Sequence, residues 1–136
     1  MKKRYLVIPA ALLLLTGMYI GSESKPKITS SVKNDIIMRS KNFIQRLHRR
    51  DYHSCYTLFD ERMKASMSEE RLKATFDRVL DSLGDFVRFK SVSISSHEAF
   101  SDEFIICSIK CEYANGSASY TISFNKELEI GGLYIK

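Results

Sequence analysis

The spacing of apolar residues along this chain changes twice. Tyr5 to Ile20 is an unbroken run of 16 uncharged residues behind Lys2, Lys3 and Arg4. Apolar positions then recur three and four apart. Ile36, Ile37, Ser40, Phe43, Ile44 and Leu47 share one face, which predicts a helix with Ser30 or Ser31 as its N-cap. Asp51 suits the N-cap of a short second helix with the stripe Tyr52, Cys55, Tyr56 and Phe59. A third helix opens near Ser66 or Ser68. Ser66 with Glu69 fits a capping box, and Ser68 with two following glutamates fits an acidic N-terminus. Leu72, Phe76, Val79, Leu80 and Leu83 form its apolar face, and Gly84 stops it.

Beyond Gly84 the period is two. In Phe86 to Ile94 the alternation slips, with Val87 and Phe89 on one face and Val92 and Ile94 on the other, so a bulge is expected near Lys90-Ser91. Phe104 to Tyr113 reads as the next strand. Asn115-Gly116 is a strong hairpin signal, because a type I′ turn needs positive φ at both central residues. That turn sets Tyr113 opposite Ala118, Cys111 opposite Tyr120, Ile109 opposite Ile122 and Cys107 opposite Phe124, all on the face of Ile105. Leu128 to Ile135 is the last strand, interrupted at Gly131-Gly132. The expected fold is α+β: three N-terminal helices on one face of a roughly four-stranded antiparallel meander.

The basic start and apolar run are the n-region and h-region of an export signal. As a helix the run is about 24 Å long, between a signal h-region and a full span. Pro9 and Thr16-Gly17 weaken a permanent anchor, and Ser22-Glu23-Ser24 offers small residues for cleavage. The organisation is therefore residues 1–24 as signal peptide or signal anchor, 25–31 as spacer and 32–136 as one α+β domain. The positive end stays in the cytosol and the domain is secreted or held outside it.

Charge changes the picture less than the pI suggests. Three of the 21 basic and one of the 16 acidic residues lie in the first 24 positions, so the net charge falls from +5 to +3 without them. A nucleic-acid partner would call for a stronger basic stripe in the domain. Arg46, His48, Arg49 and Arg50 make one basic cluster. It reads as a solvated helix end that suits the dipole, or as a contact for an anionic envelope surface.

Cysteine and histidine chemistry is sparse. Cys107 and Cys111 are about 13 Å apart on one strand and cannot bridge each other. Cys55 pairs with one of them if its helix lies over the strand; otherwise all three are small apolar core residues. His48, Asp51, His53 and Cys55 lack the spacing of a helical metal site and read as a wet interhelix turn. No metal or other cofactor is expected. There is no nucleophile elbow, phosphate loop or Cys-x-x-Cys. Asn115-Gly116-Ser117 matches a glycosylation sequon that the hairpin turn also explains.

A helix ending before Asp51-Tyr52, then Phe59-Asp60, Met63-Lys64, Leu72, Gly84-Asp85-Phe86, Phe124 and Ile130-Gly131-Gly132-Leu133 resemble domain-of-unknown-function family 3887. The resemblance runs from about Val32 to the C-terminus. It implies a compact version of the cone-shaped, cystatin-like α+β fold of nuclear transport factor two, and export. The family has no established catalytic residues to carry over.

Within such a cone, Tyr52, Tyr56, Phe59, Phe86, Phe89 and Tyr120 are candidates to line an apolar pocket. The leading expectation is a non-catalytic extracytoplasmic binding or interaction module for a small molecule or an envelope protein. One alternative is a small pocket enzyme of isomerase or lyase type, for which Asp60 is the candidate acid or base. The other is a structural envelope protein that pairs through Phe104 and Ile106 on the far sheet face.

Overall fold

The computed structural model describes residues 28–99 and 102–136. The expected signal or anchor and residues 25–27 of the spacer lie outside them. Among the described residues four helices lead: α1 (Ser30–His48), α2 (Tyr52–Thr57), α3 (Glu61–Ser66) and α4 (Glu69–Leu83). Strands β1 (Phe86–Ala99), β2 (Asp102–Tyr113), β3 (Gly116–Phe124) and β4 (Ile130–Ile135) follow. They form one antiparallel sheet in the order β1-β2-β3-β4. The meander of the sequence reading is present, with one more helix than expected.

Each helix start has a local cause. Thr29, one residue before the expected cap, accepts a hydrogen bond from the Val32 N–H at 3.2 Å. Asp51 caps α2 as expected. Asp60 caps the unforeseen α3, its Oδ1 accepting from the Met63 N–H at 2.7 Å. Ser68 caps α4, so the Ser66–Glu69 capping box does not form. α3 escaped the periodicity because its six residues bury only Met63.

α1 ends in a Schellman turn. The Arg50 N–H donates to the Leu47 carbonyl and the Asp51 N–H to that of Arg46. The left-handed position is occupied by Arg50 at φ 59°, where glycine is usual. Arg50 makes ion pairs of 2.9 Å to both Asp77 and Asp81 on α4, which hold α1 against that helix.

The core lies between the helices and the sheet face that carries Cys107, Ile109 and Cys111. From α1 it takes Ile36, Phe43, Ile44 and Leu47; from α4 Leu72, Phe76, Val79 and Leu80; from β3 Ala118, Tyr120, Ile122 and Phe124. Removing such residues from water is the main stabilising term of the fold. On the far sheet face Phe104 is buried and Ile106 half-buried.

Three strand details correct the sequence reading. The β2–β3 pairs are Tyr113↔Gly116, Cys111↔Ala118, Ile109↔Tyr120 and Cys107↔Ile122, two residues from the expected register. The turn is Ala114-Asn115, because α4 captures it. The Ala114 and Asn115 N–H groups donate to the Asp85 and Leu83 carbonyls, and the Asn115 amide reaches the Ser82 carbonyl. A slip of two keeps every side chain on its expected face. The bulge expected near Lys90-Ser91 is present, and β1 has a second register shift around Val87 that the sequence reading did not place. Val87 is consequently half exposed, while Phe89 and Ile94 pack against the core and Val92, paired with Ile109, stays 36% exposed. Leu128 precedes β4, and the strand absorbs Gly131 as a bulge where Ser123↔Gly132 gives way to Phe124↔Ile130.

Candidate functional site

Surface space opens where α1 passes the loop between β3 and β4. The α1 wall is Asp35, Met38, Arg39, Asn42 and Arg46, which recur at helical spacing on the side turned away from the core. The facing wall and floor are Leu58, Phe124, Leu128 and Ile130. The cleft holds about 250 Å³. A parallel bridge between Phe59 and Ile130 fixes its floor, with the Asp60 N–H donating to the Ile130 carbonyl and the Ile130 N–H to that of Leu58.

Asn125 shapes the loop wall. Its Oδ1 accepts from the N–H groups of Glu127 and Glu129, and the Leu128 N–H donates to its carbonyl. This closure puts Leu128 at φ 63°, a left-handed conformation that bulky residues avoid. On the helix wall Met38 is 70% exposed. The arginines have intrahelical partners at their Nε atoms: Arg39 to Asp35 at 3.0 Å and Arg46 to the Asn42 side-chain oxygen at 2.6 Å. Asp35, Arg39 and Arg46 together leave the rim one positive charge.

A second cavity, of about 310 Å³, lies between the ends of α1 and α4. His48 and Tyr113 face it, with Phe86, Asp81 and Asp85 around them. His48 Nε2 is 2.6 Å from the Tyr113 hydroxyl, which is 2.7 Å from that of Tyr120. The His48 and Phe86 rings lie 4.5 Å apart. Burial pulls the imidazole down to about 4 and pushes both phenols up. Of the expected wet turn, Asp51 and His53 are exposed, the His53 ring 3.0 Å from Glu69, while His48 is half-buried and Cys55 buried.

A third, charged depression lies over Arg50, Tyr52, His53 and Lys73. The Tyr52 hydroxyl donates to Asp77 at 2.7 Å. Hydrogen bonds from Lys73 and then Tyr52 hold the Asp77 carboxyl down at about 2.

The expected aromatic pocket residues fall into separate groups. Tyr56 and Phe59 pack with Phe43. Phe86 and Phe89 pack edge to face beside His48. Tyr120 is fully buried, stacked on Phe76 and bonded to Tyr113. Tyr52 stands apart with Asp77. Asp60 serves as the α3 cap and lies beside Gly131. All three thiols are free and buried, and no group of metal-ligating residues forms among the described residues.

Of the cleft, sequence reasoning singled out only Arg46 for its charge. Met38 carried a usable signal, as an apolar residue off the buried stripe of α1. Leu58 and Leu128 carried none, because their meeting depends on the Phe59–Ile130 bridge.

Fold and surface together define a small α+β domain with a packed interior and ligand-sized depressions outside it. The chain belongs to the family of proteins of unknown function DUF3887, whose model matches residues 40–133. Its structure is similar to the NMR structure of a protein from Ruminococcus gnavus ATCC 29149, with a TM-score of 0.67 and 17% sequence identity over 79% of this chain and 92% of that one. At that identity the likeness bears on the fold. No curated protein matches the chain.

Proposed function

We propose that the protein is a non-catalytic binding module that works outside the cytosol and takes its ligand in the cleft between α1 and the β3–β4 loop. The observation that carries this reading is the cleft itself, with Leu58, Phe124, Leu128 and Ile130 forming an apolar floor beside the polar wall of α1. The space between α1 and the sheet is occupied by Phe43, Ile44 and Leu47 against Cys107, Ile109 and Cys111, all fully buried. The apolar recess lies between α1 and the ends of β3 and β4 at Phe124 and Ile130, and Leu128 is held strained at its edge. Backbone strain of this kind is retained where the surrounding structure requires the side chain in place.

The extracytoplasmic location rests on the charge block and apolar run of residues 1–24. Among the described residues no helix is long and apolar enough to cross a membrane. The compact cone of nuclear transport factor two remains the finer architectural reading, supported by the helices-then-meander order.

The test is NMR titration of the domain with 1-decanol, a neutral probe of apolar recesses. Shifts concentrated at Met38, Leu58, Leu128 and Ile130 are expected. No saturable shifts, or shifts centred on the sheet interior, would overturn the reading.

A further inference from the structure

The cleft is apolar below and cationic above, and the two features select a narrower ligand class than an apolar recess alone. This step rests on the binding-module reading. We infer that the cleft takes a single free amphiphile with one acidic headgroup, a medium-chain carboxylate being the simplest member, with the headgroup at Arg46, whose partner Asn42 is neutral, and the chain against Leu58, Leu128 and Ile130.

Charge sets the headgroup. Arg39 and Arg46 lie on the same side of α1 but about 10 Å apart along it, so one carboxylate meets one of them. Each carries its intrahelical bond through Nε. The planar guanidinium has five N–H donors, so the terminal nitrogens keep donors for an incoming carboxylate. Asp35 already offsets part of the positive charge. The rim thus balances one negative charge, and a dianion would be left in excess. Arginine suits this task because its fork matches the two oxygens of a carboxylate.

Size sets the rest of the ligand. About 250 Å³ falls just below the roughly 300–1,000 Å³ of drug-sized sites. One medium alkyl chain fits such a recess, and a two-chain lipid does not. The wall also has the form of a groove between a helix and a loop. A membrane-binding element would instead present a protruding apolar face. Met38, 70% exposed at the mouth, is placed to fold over a bound chain, and its flexible thioether adapts to chain length.

Decanoate and 1-decanol, which share an alkyl length, separate this inference from the reading beneath it. By isothermal titration at pH 7.5, decanoate should bind about tenfold more tightly than decanol, the gain expected of a charge-assisted contact at a half-exposed site. Arg46→Gln should remove most of that difference by weakening decanoate more than decanol, and Arg39→Gln, whose charge Asp35 already pairs, should reduce it less. Raising the salt from 50 to 500 mM, a probe range of about one decade, should weaken decanoate only. Equal affinity for the two probes would overturn the anionic-headgroup inference and leave the binding module standing. Binding of neither would overturn both. Arginine-dependent sedimentation with phosphatidylglycerol vesicles, without decanoate binding, would assign the cleft to a lipid surface and overturn the inference. Dimerisation abolished by Leu128→Asp, without decanoate binding, would assign it to a second copy and do the same.

Discussion

His48 Nε2 and the Tyr113 hydroxyl are 2.6 Å apart across 65 residues of sequence, joining the last turn of α1 to the end of β2. Tyr120 extends this contact into the core. One polarity gives every hydroxyl hydrogen an oxygen or nitrogen acceptor: Tyr120 donates to Tyr113, and Tyr113 donates to a neutral His48 protonated on Nδ1. Removing the middle member leaves both neighbours without their partner. Tyr113→Phe should therefore cost about 1–3 kcal/mol, the range for orphaning buried polar groups. Tyr120→Phe, at the end of the chain, should cost less. Urea unfolding of both variants checks the order, and equal small losses would mean the hydrogen bonds contribute little.

The same contact makes stability depend on pH. Burial lowers the folded-state value of His48 to about 4 from the ordinary 6.5. The unfolded chain therefore takes up its proton first. Stability is full above about 6.5, falls as the pH drops towards about 4 and levels off below that. Arg50, Asp81 and Asp85 line the same cavity; Asp77, held down at about 2, titrates below the window. In His48→Gln the amide oxygen still accepts from Tyr113 but does not titrate. Its melting temperature should decline less than the wild type between pH 6.5 and 4. Parallel curves would remove His48 as the cause.

Much of the fold was legible because burial follows period. The stripes on α1 and α4, and the alternation along β3, place their residues where burial puts them. What failed was decided by distant partners. Asn115-Gly116 carries the local code for a two-residue turn, yet the carbonyls of Leu83 and Asp85 draw the turn one residue earlier. Only the contact with α4 could reveal that, and the period of two hid the consequence. His48 ends α1 as expected, but its burial against Tyr113 was not legible because that partner lies two strands away in the chain. The cleft was almost invisible, since Leu58 and Leu128 meet Met38 only after β4 pairs beside Phe59.

The thiols offer a direct check of the core. Burial pushes Cys55 and Cys111 up to about 12 and raises Cys107, whose shift the neighbouring Ser40 hydroxyl partly offsets. Thiolate is the reacting form. Labelling by a maleimide at pH 7.5 should be slow at all three positions in the folded protein and speed up sharply in denaturant. Rapid labelling of Cys107 and Cys111 in native protein would contradict their place on the helix-facing side of β2.

Gly131 and Asp60 should prove coupled. A Cβ at Gly131 would come within 2.9 Å of Asp60 Oδ2 and 3.3 Å of Phe104 Cε1. Asp60 is held by the cap bond to the Met63 N–H, and Phe104 is buried. Neither can retreat freely, so Gly131→Ala should cost about 1–3 kcal/mol, as overpacking does. Asp60→Ser keeps a capping oxygen on a shorter side chain. In that background Gly131→Ala should cost less, and a double-mutant cycle measures the difference. Additive losses would place the clash elsewhere. Asp60→Asn, which keeps the cap, should cost about 1 kcal/mol or less.

Leu128 brings stability and binding into opposition. At φ 63° it bears the left-handed penalty of about 1–2 kcal/mol, while its side chain is half-buried at the wall of the cleft. Leu128→Ala removes the wall and keeps the strain. Leu128→Gly removes the same wall and relieves the strain, with part of the gain offset by the greater freedom of glycine in the unfolded chain. The glycine variant should therefore be the more stable of the two, by about 1 kcal/mol in urea unfolding. Both should lose decanol binding to the same extent, because both lose the same apolar contact. If alanine proves the more stable, the backbone at Leu128 is not strained. If both variants still bind decanol like the wild type, Leu128 is not part of the site, and its costly conformation serves only to close the β3–β4 loop.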